Sequence, residues 1–309
     1  MKFLAWRLAS TAVALLFLTL LVFALMRVAP GGPFSDDLRA ESPEVLKNLR
    51  AKYRLDDSLP TQYLRYLGDL LTGDLGMSMR YGGRTVVEII ADKLPVSLQI
   101  GAAALLLGLA LGILLGALAA LRHGSVLSDA VAVGTALGIS LPALVVAPLL
   151  AYLFGYHLRW LPPAGWSTAA HAVLPVITLA IPLTARIACL TRAGMLDVLG
   201  QEFIRTARAK GLSTFTIVTR HALRPSLFPV VSFLAPAAAA VLTGSVVVEK
   251  IFQIPGLGPD FVTAALARDY TLVMGIALLY SVMLGAFNFL ADVAYVMLDP
   301  RVRLTRREA

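Results

Sequence analysis

The side chains that most often do chemistry are few in this sequence and are not grouped. The four histidines, His123, His157, His171 and His221, are far apart and lack the spacing of metal ligands. A single cysteine, Cys189, allows neither an internal disulfide nor a thiolate metal cluster. The sequence has no P-loop, no His-Glu-x-x-His motif and no Gly-x-Ser-x-Gly elbow. It therefore predicts no catalytic residue, no metal and no cofactor held by this chain.

A few polar residues fall inside long apolar runs. Asp292 is an acid within the last such run, and an ionisable residue there is a candidate functional residue. It is also about two helical turns from the charged C-terminal tail, so a structural role at the membrane interface is the alternative. Thr243, Ser245 and Asn288 are the other polar residues of the last two runs, and such residues commonly bond to a neighbouring helix.

The densest basic stretch is 191–230. Within it, residues 203–211 alternate small and basic residues at helical spacing and stop at Gly211, which can take the left-handed conformation that ends a helix. An ordinary cytoplasmic loop with the usual excess of positive charge is one interpretation. A short helix presented to a cytoplasmic partner is the other. The stretch carries six cations and two acids: Arg192, Arg205, Arg208, Lys210, Arg220 and Arg224 against Asp197 and Glu202.

Composition indicates an integral membrane protein. Of 309 residues 58% are hydrophobic and only 15% are charged, whereas soluble domains carry about 25% charged residues. The mean hydropathy is +0.77 and the pI about 9.8. A formal charge of +8 would suggest nucleic acid for a soluble protein. In a membrane protein, the distribution of that charge along the chain matters more than its total.

Apolar runs long enough to cross about 30 Å of hydrocarbon recur along the chain. The first, 8–26, is uncharged. A cleaved signal peptide is the alternative for it, but such a peptide has a shorter apolar core, and residues 27–30 match a cleavage site poorly. We therefore expect an uncleaved first helix. The predicted fold class is an all-α integral membrane protein with six transmembrane helices.

The apolar and polar runs also set the expected domain bounds. The segment after the first span is charged and contains prolines, and it predicts a small lobe with two short amphipathic helices. The bounds are 1–28 for the N-terminus and first span, 29–93 for an extracytoplasmic lobe, and 94–309 for the core domain. In the core we expect spans at 94–121, 130–158, 168–185, 225–248 and 270–298, a cytoplasmic loop at 186–224, an outer segment at 249–269 and a cytoplasmic tail at 299–309.

Glycines and prolines mark two of these spans. Gly108, Gly112 and Gly116 recur every four residues and lie on one helix face, which predicts close packing against another helix. Pro142 and Pro148 interrupt the third span and predict a kink there.

The charges predict the orientation. With the N-terminus, Arg122, the loop 186–224 and the tail inside, the inner face holds 14 of the 27 basic and 6 of the 19 acidic residues. The outer face is then neutral, and the whole net charge of +8 is cytoplasmic. This is the distribution that the positive-inside rule expects, so both termini are predicted to be cytoplasmic.

The basic stretch resembles the EAA loop of binding-protein-dependent ABC importer permeases. In that loop Glu-Ala-Ala is followed after three residues by Gly, and after nine more by Ile-x-Leu-Pro. Here residues 205–207 (Arg-Thr-Ala) stand at the Glu-Ala-Ala positions and Gly211 at the glycine. His221 and Leu223 fall at the Ile and Leu positions, and Pro225 comes one residue late. Arg-Thr-Ala-Arg-Ala-Lys-Gly-Leu followed by Arg-His-Ala-Leu is the form of the family's peptide branch.

The resemblance covers essentially the whole chain. The peptide branch includes oligopeptide, dipeptide, glutathione and nickel permeases, and within it the chain is most similar to the B-subunit family of oligopeptide permeases. The similar blocks are 26–31, 52–57, 73–76, 249–252, 255–258, 268–270 and 299–303.

The resemblance implies a type I ABC importer permease fold and a multi-pass location in the inner (cytoplasmic) membrane. It implies a permease subunit, not itself an enzyme, that moves oligopeptides or dipeptides inward. The implied partners are a second homologous permease subunit in a heterodimer, two ABC ATPase subunits that bind ATP and Mg, an extracytoplasmic substrate-binding protein and membrane lipid, but no nucleic acid.

The resemblance also implies which residues act. A short helix would sit in a groove of an ATPase subunit and couple to it through Phe203, Arg205, Thr206, Ala207, Arg208, Ala209, Lys210 and Gly211. We further hypothesise that the translocation path includes Pro142, Pro236, Thr243 and Ser245, because a peptide backbone of no fixed sequence suits an uncharged, weakly polar lining.

Other functions remain as alternatives. A permease of the same branch could carry nickel or glutathione. A secondary transporter or channel acting alone predicts internal repeats or charges within the spans, and neither is evident in the sequence. A membrane enzyme predicts a catalytic constellation inside the spans, and the sequence shows none.

Overall fold

A computed structural model of the chain describes residues 2–28, 33–34 and 43–298. The predicted tail, 299–309, and much of the start of the predicted lobe lie outside these residues. The described part is helical, with one isolated antiparallel bridge between Met77 and Thr85. The helices are α1 (Lys2–Val28), α2 (Pro43–Lys52), α3 (Leu59–Leu71), α4 (Val86–Leu121), α5 (Val126–Ser140), α6 (Ala143–Leu150), π1 (Ala151–His157), α7 (Ala170–Leu199), α8 (Glu202–Ala209), α9 (Thr214–Thr216), π2 (Ile217–Ala222), α10 (Leu223–Ser226), α11 (Phe228–Leu242), α12 (Val246–Ile251), α13 (Leu257–Leu266) and α14 (Tyr270–Leu298).

Five stretches of helix in the described residues are long and apolar enough to cross a membrane. They are Ala9–Val28, Val86–Leu121, Ala170–Leu199, Phe228–Ile251 and Tyr270–Ala294. The pair Val126–Ser140 and Ala143–His157 also qualifies when it is taken together. The number of spans is therefore five or six, and the predicted six requires that the bent pair counts as one span.

The third predicted span is broken more sharply than a kink. Its two helices meet at an angle of 102°. Leu141 is extended, with ψ 117°, and Pro142 is extended too, with ψ 140°. A proline ring disfavours helical geometry in the residue before it, and its nitrogen has no hydrogen to donate to the preceding turn. The sequence Leu141-Pro142 therefore explains the position of the break.

The glycine stripe on α4 packs against α7, as predicted. A Cβ added at Gly108 would lie 2.8 Å from Cβ of Leu183, and one at Gly112 would lie 2.6 Å from Cβ of Ile187. At Gly116 the added atom would lie 2.5 Å from the carbonyl oxygen of Ala188. Only hydrogen at these positions allows the two helices to approach so closely.

Two helices extend beyond the spans predicted for them. The fourth span, expected at 168–185, lies in α7, which continues to Leu199. The predicted cytoplasmic loop 186–224 is therefore mostly helical, because an apolar run marks the membrane part of a helix and not its end. Glu249, expected in the outer segment 249–269, lies in α12 and is 2% exposed.

The chain divides into two compact units. The first contains Met1–Pro95 and Leu257–Val282, and the second contains Val96–Gly256 and Met283–Ala309. In the first unit an apolar cluster forms around Val86, Leu257 and Leu272. The buried carboxylate of Asp269 is well satisfied there. It accepts hydrogen bonds from the hydroxyls of Ser78 and Thr271 and from the backbone N–H groups of Arg80 and Leu272, the last at the start of α14.

The second unit is built around α7. Its apolar core brings residues of α4, α6, α7 and α12 together, with Ile100, Ala147, Leu174 and Val248 all buried. A second cluster in this unit lies at the far end of α7 and contains the short helix α8.

Candidate coupling helix

The local sequence explains why α8 begins and ends where it does. Gln201, with ψ 152°, is extended and separates α8 from the end of α7. After α8, Gly211 has φ +78°. The N–H of Gly211 donates to the carbonyl of Arg208 at 2.9 Å, and the N–H of Leu212 donates to the carbonyl of Ala207 at 3.3 Å. These two bonds form a Schellman motif, which confirms the predicted helix end at Gly211.

One face of α8 is held by the rest of the second unit. Ile204 is 0% exposed and Ala207 is 7% exposed. Both belong to an apolar cluster that also contains Ala120 at the end of α4, Met195 near the end of α7, and Ile217 and Ala222 of π2. Since the cluster joins four helices, α8 cannot be displaced without moving the ends of α4 and α7 or breaking apolar contacts.

The opposite face of α8 is exposed. Arg205, Arg208 and Lys210 are all exposed, and they make this face basic. Phe203 is 49% exposed on the same helix, and Phe215, just beyond it, is 77% exposed. Exposed aromatic side chains beside arginines are typical of surfaces that bind another protein.

The eight residues predicted for coupling divide between these two faces. Ala207 is buried in the cluster, so it anchors α8 and presents almost no surface to a partner. The other seven are exposed: Phe203, Arg205, Thr206, Arg208, Ala209, Lys210 and Gly211. The hydroxyl of Thr206 donates to the carbonyl of Glu202 in the same helix at 3.1 Å.

The sequence prediction missed Ile204 and Phe215. The sequence carries a signal for Ile204, because Ile204 and Ala207 are three residues apart in a helix and so share one face. Phe215 lies after the glycine, outside the helical pattern, and nothing in the sequence indicates that its side chain is exposed.

Two further contacts hold α7 in place, and α7 in turn packs against α8 through Met195. Arg192 donates from Nε and Nη2 to the hydroxyl of Ser128 on α5, at 3.3 and 3.2 Å. Gly194 lies directly against the backbone of Ser226 in α10, where a Cβ would overlap the Ser226 carbonyl. Helices α5 and α10 therefore hold the part of α7 that leads to α8.

The four residues predicted for the translocation path differ in their surroundings. Pro142 and Pro236 are exposed, whereas Thr243 is 6% exposed. The Thr243 hydroxyl donates to the carbonyl of Ala239 in its own helix at 2.7 Å. Ser245 is half-buried, and its hydroxyl caps α12 by accepting from the N–H of Val248. Both hydroxyls therefore already have a structural role.

Asp292 lies in α14, within the candidate span Tyr270–Ala294, and its side chain is half-buried. In the described part of the chain, no three His, Cys, Asp or Glu side chains are grouped in a way that could hold a metal ion.

Two protein-family models match this chain, one after the other along the sequence. The family described as "Binding-protein-dependent transport system inner membrane component" matches residues 112–304, and its N-terminal companion matches residues 1–101. Together the two matches cover most of the chain, including α8.

Curated relatives are similar over nearly their full length. The chain is 42% identical over 305 residues to the oligopeptide transport system permease protein OppB of Haemophilus influenzae, covering 98% of this chain and 99% of the relative. It is 43% identical over 302 residues to the dipeptide transport system permease protein DppB of Bacillus subtilis, covering 98% of this chain and 97% of the relative. These similarities confirm the resemblance to the peptide branch.

Two solved structures share the fold. One shows inward-facing conformations of the MetNI methionine ABC transporter, with a TM-score of 0.55 and 16% identity over 69% of this chain and 97% of that chain. The other is an amino acid ABC transporter, with a TM-score of 0.51 and 19% identity over 67% of this chain and 92% of that chain. The family matches, the full-length relatives and the apolar helices lead to one conclusion: this multi-pass inner-membrane chain belongs to the binding-protein-dependent transport system inner membrane component family.

Proposed function

We propose that this chain is a permease subunit of an ATP-driven importer that moves oligopeptides or dipeptides inward across the cytoplasmic membrane. The proposal places the loop 186–224 and both termini in the cytoplasm and the lobe 29–93 outside. In this arrangement α8 is the contact with a separate ATPase subunit, and the lobe and the segment 249–269 receive a substrate-binding protein.

The observation that carries the proposal is the two-sided character of α8. Its exposed face carries arginine and phenylalanine side chains, which are enriched where proteins bind one another. Its buried face, through Ile204 and Ala207, belongs to the cluster that contains the ends of α4 and α7. A surface built for recognition is thus attached directly to two membrane-spanning helices.

This attachment suggests how force would pass from the ATPase to the membrane. Movement of an ATPase surface that holds α8 would carry Ile204 and Ala207 with it. Because packed cores respond as rigid bodies, the ends of α4 and α7 would follow and not deform. Closure of two ATPases on ATP would then switch the spans between inward-open and outward-open states.

The cargo and partners rest on the relatives. Those described above are named as oligopeptide and dipeptide permeases, which favours a peptide cargo for this chain. We propose a heterodimer with a second homologous permease subunit, two ATPase subunits that bind ATP and Mg, and an extracytoplasmic binding protein. Nickel or glutathione is the alternative cargo, and transport by this chain alone is the alternative function.

The experiment is co-purification from native membranes with two matched charge reversals. Arg205→Glu reverses an exposed charge on α8, and Arg220→Glu reverses an exposed charge on π2. We expect Arg205→Glu to lose the ATPase subunits and to keep the sister permease, while Arg220→Glu keeps both. A substitution at Ala207 is avoided because it would disturb the apolar cluster itself.

Reconstitution separates the alternatives. Proteoliposomes of the purified complex should take up peptide only with ATP, and should take up neither nickel nor glutathione in parallel assays. If the chain purifies alone and still moves solute without ATP, the importer function is wrong and the chain is a self-sufficient transporter. ATP-dependent uptake of nickel or glutathione in place of peptide would instead correct the cargo.

The translocation path remains a proposal for Pro142, Pro236, Thr243 and Ser245. It can be tested by replacing each with cysteine and measuring its labelling with and without ATP. Cys189 is exposed and must first be replaced by serine. We expect the labelling of Pro142→Cys and Pro236→Cys to change with ATP. The path is assigned to the wrong residues if none of the four changes.

A further inference from the structure

The first unit contains a polar cavity that the proposed function does not use. Its volume is about 360 Å³. It lies among the end of α1, the helices α2 and α3, and the start of α14. Its lining carries four basic and two acidic side chains: Arg27, Lys52, Arg54 and Arg65, with Asp69 and Asp74. Arg65 is already paired with Asp57, at 2.6 Å. The cavity is therefore suited to an anion.

Arg27 is the most unusual of these side chains. It is half-buried, and its guanidinium carbon lies 5.0 Å from the ring centre of Phe23 and 4.7 Å from that of Tyr270. Within the described ranges no carboxylate pairs with it and no oxygen accepts a hydrogen bond from it. The rings contact the guanidinium, and its planar fork of N–H donors is available to a ligand. Such a planar fork matches two oxygens of one phosphate.

Tyr66 lines the same cavity and also has an unused donor. Its hydroxyl is shut off from solvent and has no hydrogen-bond partner among the described residues. Burial raises its pKa to about 12, so the group stays a neutral donor at physiological pH. A buried donor without a partner destabilises a protein, and a ligand that supplies an acceptor removes that cost.

The position of Arg27 indicates where the anion would come from. The candidate span Ala9–Val28 ends one residue after Arg27, so the guanidinium lies at the depth of lipid headgroups. Several apolar side chains of α1 are exposed, including Val13 at 65% and Phe17 at 66%. The cavity is therefore at the end of a helix that presents apolar side chains to its surroundings in the membrane.

We propose that this cavity binds the phosphate of an anionic phospholipid headgroup, with Arg27 as the two-pronged ligand and Lys52 as a second cation at its edge. The lipid would lie along α1 and connect α1 to α2, α3 and the start of α14. Zwitterionic lipids bind less well, because their own ammonium group competes with the cations of the cavity.

The test is native mass spectrometry of the delipidated full-length chain in detergent, titrated with phosphatidylglycerol or with phosphatidylethanolamine. We expect phosphatidylglycerol to bind more tightly than phosphatidylethanolamine. Arg27→Gln should weaken phosphatidylglycerol binding by at least about tenfold, as expected for the loss of charged hydrogen bonds. Thermal unfolding without lipid shows whether this variant is folded.

Lys52→Gln and Lys47→Gln form a matched pair in case Arg27→Gln misfolds. Both lysines are exposed on α2, and of the two only Lys52 lines the cavity. We expect Lys52→Gln to weaken phosphatidylglycerol binding about two- to fivefold and Lys47→Gln to leave it unchanged. Equal losses in both variants would mean non-specific attraction and would overturn the proposal.

Other outcomes would also overturn it. If inorganic phosphate saturates the Arg27-dependent site and phosphatidylglycerol does not compete, the site takes free phosphate and not lipid. If Arg27→Gln abolishes ATP-dependent peptide uptake but binds phosphatidylglycerol like the wild type, the cavity receives a carboxylate of the cargo or of the binding protein.

Discussion

The hydroxyl of Ser97 donates a hydrogen bond to Oε1 of Glu249 at 2.8 Å, and both side chains are almost completely buried. Ser97 lies in α4 and Glu249 in α12, so this bond joins two segments 152 residues apart. Gly256 lies beside the pair, where a Cβ would be 2.7 Å from the Ser97 hydroxyl. The Ser97 hydroxyl gives this buried carboxylate a hydrogen-bond donor, which offsets part of the cost of its burial.

Removal of the Ser97 hydroxyl should destabilise the protein. Ser97→Ala deprives a buried carboxylate of a donor, and we expect a loss of about 1.5 to 3 kcal/mol in the free energy of unfolding. Ser232→Ala is the control, because Ser232 is exposed and bonds only to its own helix. Thermal unfolding in detergent measures both. Equal melting temperatures for the two variants would show that the buried bond contributes nothing.

The close approach of α4 to α7 makes a second prediction. In Gly116→Ala the new methyl group would overlap the backbone of Ala188, which cannot move aside, so we expect a loss of about 1 to 3 kcal/mol. Gly134→Ala in α5 is the control, because its Cβ would enter open space. That variant should be neutral or slightly more stable, since alanine favours helix. The packing interpretation fails if both variants have the same melting temperature.

Gly211 should be needed for its backbone conformation alone. A Cβ there meets no atom within 4 Å, but φ is +78°. We therefore expect Gly211→Ala to cost about 1 to 2 kcal/mol and to loosen the end of α8. Gly200→Ala, with φ −79°, is the control. Hydrogen exchange of the α8 amides should increase in the first variant only, and unchanged exchange in Gly211→Ala would contradict the prediction.

The lobe should lose stability at alkaline pH because of Tyr81. Burial raises the pKa of Tyr81 to about 12, and its hydrogen bond to Asp260, at 2.8 Å, adds to this effect. The folded state thus keeps a proton that the unfolded state releases near the ordinary value of 10. The contribution of Tyr81 is fully present below about pH 10 and is lost as the pH rises toward about 12.

Chemical denaturation across this pH range tests the assignment. In Tyr81→Phe the fall in stability with pH should be shallower than in the wild type, in which Tyr66 also contributes. Asp260→Asn should lower the pKa of Tyr81 and move the loss to lower pH. Identical slopes for the wild type and Tyr81→Phe would exclude Tyr81 as the cause.

Much of the fold could be predicted because membrane helices are marked by local composition. The first helix, the two short helices of the lobe, the glycine face of α4 and the helix end at Gly211 all depend on residues adjacent in sequence. The positions of the helix ends are harder to predict from the sequence. α7 continues to Leu199 through Arg186 and Arg192, because a helix can leave the membrane without any change in its backbone.

The candidate site was predictable in part for the same reason. Spacing and charge identified the basic helix, and its resemblance to a family assigned it a partner. The division of that helix into an anchored and an exposed face depends on Ala120, Met195 and Ile217, which are distant in sequence and meet Ile204 only in the fold. Ala207 was therefore expected at the docking surface, and the structure buries it.

By itself the sequence determined that this chain lies in a membrane, that it is helical, and to which family it belongs, because these properties follow from composition and from contiguous motifs. Only the tertiary structure decided that Glu249 is buried against Ser97, that the Leu141-Pro142 break reaches 102°, and that Arg27 lies over two aromatic rings beside a polar cavity. Ser97 and Glu249, like Arg27 and Tyr270, are far apart in sequence and meet only in the fold, and Pro142 marks where the third span breaks but does not set the angle.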